Sequence, residues 1–320
     1  MLYEKIKEIY KNMVYSRADD TGAVFYFSHR DFAGLTQTPY PFPSSCGHML
    51  QGYFYSYEGY QPNRIILFEH GMGSGHRGYM KEIELLARHG YLVFAYDHTG
   101  CMESGGETTG GFLQSLCDCN DALNALGRDE CYKDAAVSVV GHSWGGFSTL
   151  NILALHPEVR SIVAIAGFVS LPQILRGFFG GLLSGVGKRL LCEETVANPD
   201  FIGYNAVNTL KNTNAHALIL HSADDKTVSC RLNFDLMQKA LGNRPGLRFV
   251  KLKGKGHNPN YTADAVRYKD AFFKTYTKMM KKGLLVTDEQ KKVFIASYDW
   301  DRMTAQDPAV WEMIFETLDT

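Results

Sequence analysis

From residue 64 onward, short apolar runs alternate with longer stretches whose apolar residues recur at helical spacing. The runs 64–69, 91–96, 135–140, 161–165, 217–221 and 247–252 are apolar at most positions, which predicts strands buried on both faces. Between them, 79–89, 112–126, 145–156, 231–241 and 263–280 read as helices. This alternation predicts an α/β fold, a mostly parallel sheet flanked by helices. Ahead of it, 22–28 and 50–57 read as two antiparallel strands, with Thr38-Pro39-Tyr40-Pro41-Phe42-Pro43-Ser44-Ser45 as the turn or loop between them. Met1 to Arg17 mixes Glu4, Lys5, Lys7, Glu8 and Lys11 with apolar residues and reads as an amphipathic helix.

Two segments break the alternation. Residues 167–214 are rich in Leu and Phe and carry Gly177, Gly180, Gly181, Gly185 and Gly187, which weaken a helix and permit movement. Their place between two strands predicts an inserted cap. Phe178, Phe179, Leu182 and Leu183 fit equally a packed cap core and a lid over an apolar acyl pocket. Beyond residue 282, Thr287 with Gln290 forms a capping box and Asp307-Pro308 a second helix start, which predicts two amphipathic helices. Trp300 and Trp311 read as packing anchors of this tail. The expected organisation is an N-terminal helix (1–21), a core (22–166 and 215–282), a cap (167–214) and a C-terminal helical extension (283–320).

Composition narrows the classes. Of 320 residues, 45% are hydrophobic and 21% charged, as in ordinary globular proteins. A formal net charge of −1 provides no global field for nucleic acid or an anionic membrane. No apolar run reaches the ~20 residues of a membrane span, and the N-terminus lacks the apolar core of a secretion signal, so a cytoplasmic protein is expected. Seven cysteines, an odd number in a long chain, argue against a disulfide framework. Cys117 and Cys119 have no second pair at zinc spacing, so no metal site is expected.

The candidate chemistry centres on Gly141-His142-Ser143-Trp144-Gly145, entered by an apolar strand pattern and left by a helix pattern. At such a turn the strand bends sharply into a helix, and the serine hydroxyl is pushed out beside the helix N-terminus. The flanking glycines let the two backbones pass closely. A serine hydroxyl needs a base, and Gly256-His257 in the glycine-rich loop after the last strand supplies it. The base needs a carboxylate, and Asp224 and Asp225 are adjacent candidates after the preceding strand. Oxyanion donors are expected from the backbone N–H groups of Met72, in the turn His70-Gly71-Met72-Gly73, and of Trp144. His70, His98, His142 and His221 read as structural, with His142 packed under the turn, and Asp97 as a brace for the loop that follows it.

These motifs, in this order over residues 22–282, resemble the α/β-hydrolase superfamily, and within it the monoacylglycerol-lipase-like esterases and serine aminopeptidases. His70-Gly71-Met72-Gly73 matches the oxyanion turn and Gly141 to Gly145 the nucleophile elbow. His221-Ser222-Ala223-Asp224-Asp225-Lys226-Thr227-Val228 matches the family's "His-Gly-x-x-Asp-x-x-Val", which implies Asp225 over Asp224. Thr99, Met102 and Ser222 depart from the family pattern, where Arg, Gly and Gly are usual. The resemblance implies a serine hydrolase with the triad Ser143, Asp225 and His257 and no cofactor. Its expected substrate is a small-molecule carboxylic ester with an apolar or aromatic acyl group, monoacylglycerols included.

Two other functions fit the pattern less well. An aminopeptidase or amidase would use the same triad and an acidic pair for the substrate amine, for which Glu193 and Glu194 are candidates. A binding protein of the same fold would have no need of all three triad groups. The cap and the tail are the candidate surfaces for a homodimer.

Overall fold

The structure is a computed structural model that describes residues 2–19, 24–73, 75–197 and 199–320. Eight strands form the main sheet: β1 (Thr36–Pro39), β2 (Gly52–Ser56), β3 (Gln61–Glu69), β4 (Tyr91–Tyr96), β5 (Ala136–His142), β6 (Ser161–Ile165), β7 (His216–Ser222) and β8 (Leu247–Leu252). Their spatial order is β1-β2-β4-β3-β5-β6-β7-β8. β2 runs antiparallel to both β1 and β4, and the remaining pairs are parallel. A separate ribbon pairs Phe42–Pro43 with Met49–Leu50.

The helices are α1 (Leu2–Val14), α2 (Met80–Arg88), α3 (Gln114–Arg128), α4 (Trp144–Asn151), α5 (Leu171–Phe178), α6 (Ser184–Ala197), α7 (Ala206–Lys211), α8 (Phe234–Leu241), α9 (Ala263–Lys281), α10 (Asp288–Ala296), α11 (Trp300–Met303) and α12 (Pro308–Asp319). Alternate strand residues divide between two cores, as the pleat requires. Ile65, Leu67, Val139 and Ile162 pack with Leu116 of α3 and Phe147 and Leu150 of α4. Ile66, Phe68, Val140 and Val163 pack with Ile83 and Leu86 of α2 and with Trp311, Ile314 and Leu318 of α12. The second face of the sheet is therefore closed partly by the last helix of the chain.

Two differences from the sequence reading have physical causes. The antiparallel partner of β2 is Thr36–Pro39, part of which was expected to lie in a turn, and residues 24–28 form no strand. Gly22 and Ala23, the start of the expected strand, lie outside the described residues. β1 is an edge strand, where a proline costs no ladder hydrogen bond. Phe25 instead meets Phe27 edge-on at 5.0 Å and lies tilted against Trp300 at 6.1 Å. The tail holds three helices, not two. Thr287 and Asp307 cap α10 and α12 as their motifs predict, and Asp299 caps the additional short α11 by accepting from the N–H of Arg302. At the N-terminus, α1 lies against α6: Lys7 pairs with Glu193 at 2.7 Å, and the Tyr10 hydroxyl donates to Glu194.

Candidate active site

Ser143 joins β5 to α4 with φ 56° and ψ −110°, a left-handed conformation costly for a residue with a Cβ. Its surroundings leave no room for larger neighbours. A Cβ on Gly141 would sit 2.3 Å from Thr149 Oγ1 and 2.4 Å from the Gly145 carbonyl oxygen. One on Gly145 would sit 2.2 Å from the Glu69 carbonyl oxygen, and one on Gly146 would sit 2.8 Å from Gly167 Cα. The strained turn is held by the Ser143 N–H, which donates to the Ile165 carbonyl at 2.8 Å.

Three side chains from separate loops meet here. Ser143 Oγ lies 2.8 Å from His257 Nε2, and His257 Nδ1 lies 2.8 Å from Asp225 Oδ2. With its proton on Nδ1, the ring donates to the carboxylate and presents a bare Nε2 to the hydroxyl. The other oxygen of Asp225 accepts from the N–H groups of Thr227 (2.8 Å) and Val228 (3.0 Å). Burial pushes the Asp225 carboxyl up, but the hydrogen bonds of His221 and His257 and the charge of His257 outweigh it and hold it well below the usual carboxylate range. Asp224 faces elsewhere: it accepts from Ser222 Oγ (2.6 Å) and from the N–H groups of Gly254 (2.8 Å) and Gly256 (3.2 Å), bracing the loop that carries His257.

The residues that carry the two expected oxyanion donors border the same site. Trp144 is the first residue of α4, where N–H groups have no partner within the helix. Its indole is buried and donates to the Phe112 carbonyl at 2.7 Å, which fixes the start of the helix. Met72 lines the same cavity as Ser143 and His257. His70 sets the direction of the Met72 N–H. Its Nε2 accepts from the His98 N–H (2.9 Å), so Nδ1 carries the proton and donates to the Gly71 carbonyl (2.7 Å). That carbonyl and the Met72 N–H belong to one planar trans peptide and point in opposite directions. Burial holds the His70 ring down to about 3, so it carries a single proton near neutral pH. Asp97 ties the next loop by accepting from the His76 N–H (2.9 Å) and ring (2.8 Å) and from the Glu103 N–H (3.3 Å).

A cavity of about 230 Å³ opens beside Ser143 and His257. Its apolar walls include Phe25 and Phe27 ahead of β1, Phe273 of α9, and Trp300 and Met303 of α11. None of the described residues in 167–214 lines it. Phe178 and Phe179 instead pack near Phe112 and Tyr10, at ring distances of 6.3 and 6.2 Å, and Leu182 is fully exposed. Trp300 is both an anchor of the tail and a wall of this cavity, a role no local pattern at residue 300 announces. The acidic pair is occupied elsewhere. Glu193 binds Lys7 and Tyr3, while Glu194, fully buried, accepts from Tyr10.

Comparison with known proteins agrees with this architecture. The family model described as alpha/beta hydrolase fold matches residues 64–191. A monoglyceride lipase of Rattus norvegicus is 34% identical over 95 residues, 29% of this chain and 30% of that protein. The chain thus spans about a third of the length of the curated relatives it matches. An esterase of Pyrococcus furiosus superposes with a TM-score of 0.59 at 16% identity, covering 84% of this chain and 97% of that one. An acetyl xylan esterase from Paenibacillus sp. R4 superposes with a TM-score of 0.56 at 17% identity, covering 80% and 88%. The strand order, the mostly parallel sheet and the sharp turn at Ser143 agree with these matches: the chain has the α/β-hydrolase fold. Among the described residues no helix is long and apolar enough to cross a membrane.

Proposed function

We propose that this protein is a serine hydrolase that cleaves compact carboxylic esters through an acyl-enzyme on Ser143. The observation that carries the reading is the continuous contact from Ser143 Oγ to His257 Nε2 and from His257 Nδ1 to Asp225, each step 2.8 Å. His257 takes the Ser143 proton as Oγ attacks the ester carbonyl carbon. The Met72 and Trp144 N–H groups hold the oxyanion. As the tetrahedral intermediate collapses, the protonated ring, steadied by Asp225, gives its proton to the leaving alkoxide. Water then loses a proton to His257 and attacks the acyl carbon, and Ser143 leaves with that proton restored. The side chains needed all come from this chain.

The cavity supports a small acyl group. Its 230 Å³ is about one and a half times the ~150 Å³ of an engineered apolar cavity that holds benzene. An aromatic or short to medium aliphatic acyl group fits within it, whereas a long monoacylglycerol chain must extend past it. The ester reading is favoured over the aminopeptidase reading because Glu193 and Glu194 are engaged with α1 and do not line the cavity.

The test is fluorophosphonate labelling of wild type and Ser143→Ala, alongside p-nitrophenyl esters of increasing acyl length. Labelling confined to wild type, with an optimum at short to medium chains, is the expected result. A folded wild type that neither labels nor turns over any ester overturns the proposal.

A further inference from the structure

Two polar side chains outside the triad connect its parts. The Gly71 N–H donates to the Tyr79 hydroxyl at 3.0 Å. That hydroxyl lies 2.8 Å from His142 Nδ1, and His142 Nε2 lies 2.8 Å from the backbone carbonyl of His257. The chemistry of the groups sets the direction of each bond. A carbonyl only accepts, so Nε2 of His142 carries a proton and donates. Burial, with the charges of His257 and Lys269, holds the His142 ring down to about 3, so it carries one proton near neutral pH. Nδ1 is therefore bare, and the Tyr79 O–H donates to it. The resulting chain runs one way, from Gly71 through Tyr79 and His142 to His257.

Each joint of this chain is a backbone position the reaction depends on. Gly71 precedes Met72 in the oxyanion turn, His142 precedes Ser143, and the accepting carbonyl belongs to His257 itself. Both side chains are largely buried, and the Tyr79 hydroxyl packs so closely on Gly71 that a Cβ there would lie 2.4 Å from it. Residues 71, 142 and 257 are far apart in sequence, and these two side chains fasten them together.

We propose that Tyr79 and His142 are positioning residues, a hydrogen-bonded strut that holds the oxyanion turn in register with the His257 loop during acyl transfer. The strut rests on the serine-hydrolase reading. It acts on the alignment of groups in the transition state, so its loss lowers kcat more than it weakens substrate binding. A displacement of about 1 Å in such a site costs up to ~10²-fold.

The experiment compares Tyr79→Phe, His142→Leu and His142→Gln, each checked for folding by circular dichroism, in steady-state ester hydrolysis. Glutamine can accept from Tyr79 through Oε1 and donate to His257 through Nε2, so it preserves the chain that leucine breaks. The expected result is a roughly 10- to 100-fold fall in kcat for Tyr79→Phe and His142→Leu, with KM changed less than about threefold. His142→Gln stays within about threefold of wild type, and the Tyr79→Phe, His142→Leu double variant is little worse than the poorer single one. If His142→Leu does not fold, Tyr79→Phe, which removes a single oxygen, carries the test. An unchanged kcat in Tyr79→Phe, or a glutamine variant as slow as the tyrosine variant, overturns the strut. Fluorophosphonate labelling separates this from the broader reading. A labelled wild type with an unaffected Tyr79→Phe overturns the strut alone, while an unlabelled wild type overturns both.

Discussion

Truncating Met303 should lengthen the acyl chain the protein prefers. Met303 is 1% exposed, packs with Phe272, Ile295 and Trp300, and lines the cavity beside Ser143. Met303→Ala removes three heavy atoms beyond Cβ. If substrate carbons fill that space, each buried methylene contributes ~0.8 kcal/mol. Three amount to about 2.4 kcal/mol, or roughly 50-fold in kcat/KM for an ester three carbons longer. The same truncation costs about 2–5 kcal/mol of stability, large against a typical total of about 5–15 kcal/mol. Activity is therefore read well below the variant's Tm.

The assay is kcat/KM across a p-nitrophenyl ester series for wild type, Met303→Ala and Leu183→Ala. Leu183 lies in the segment between β6 and β7, is 39% exposed and is absent from the cavity wall. The optimum should move to longer chains in Met303→Ala and stay fixed in Leu183→Ala. Phe273→Ala, which alters a more exposed wall residue, serves if Met303→Ala does not fold. An unchanged profile in a folded Met303→Ala, or a shift produced by Leu183→Ala, would refute the assignment of α11 as the acyl wall.

Other consequences follow from packing and charge. Gly145→Ala places a Cβ 2.2 Å from the Glu69 carbonyl oxygen, so α4 and β3 must part; a loss of at least about 1–3 kcal/mol, measured by denaturant midpoint, is expected. Gly127→Ala in α3 meets nothing within 4 Å and should stabilise by about 0.5–1 kcal/mol in the same assay. Asp225→Asn should lower kcat by roughly 10⁴-fold, as expected when the base loses its orienting carboxylate. Because the Asp225 carboxyl is held below its ordinary value, its stabilising contribution is present above about pH 4 and is lost as pH falls through the folded value. The stability gap between wild type and Asp225→Asn should close on acidification. Glu194 behaves in the opposite sense: burial raises its carboxyl, so ionisation opposes folding as pH rises from about 4.3 to the folded value. Urea midpoints should show Glu194→Gln gaining on wild type across that interval.

The strands and the meeting of Ser143, Asp225 and His257 were legible because they rest on local order. Apolar runs marked β3 to β8, and the glycines around Ser143 marked a turn that only small residues permit. The choice between Asp224 and Asp225 was not settled by spacing alone, since adjacent carboxylates after one strand look alike. In the structure Asp225 meets His257 while Asp224 turns toward Gly254 and Gly256. The edge strand Thr36–Pro39 was missed because its proline and those that follow read as turn residues. The cavity wall was missed for a different reason. Phe25 and Trp300 come together only through the tertiary fold, and nothing near either residue signals the other. The apolar residues of 167–214 carried the signature of a lid, yet a buried helix surface has the same composition, and Phe178 and Phe179 are spent on packing near Phe112 and Tyr10. Tyr79 gave no sequence signal, because its hydroxyl matters only where the fold sets it between Gly71 and His142.

The central claim is covalent chemistry at Ser143. The most direct measurement is rapid mixing with p-nitrophenyl acetate, followed by acid quench and mass mapping of the peptide containing Ser143. The predicted result is a release of p-nitrophenol near one equivalent per protein, with the acetyl group on Ser143 and neither signal in Ser143→Ala. Steady turnover by wild type with no acyl group on Ser143, or undiminished turnover by Ser143→Ala, would contradict it.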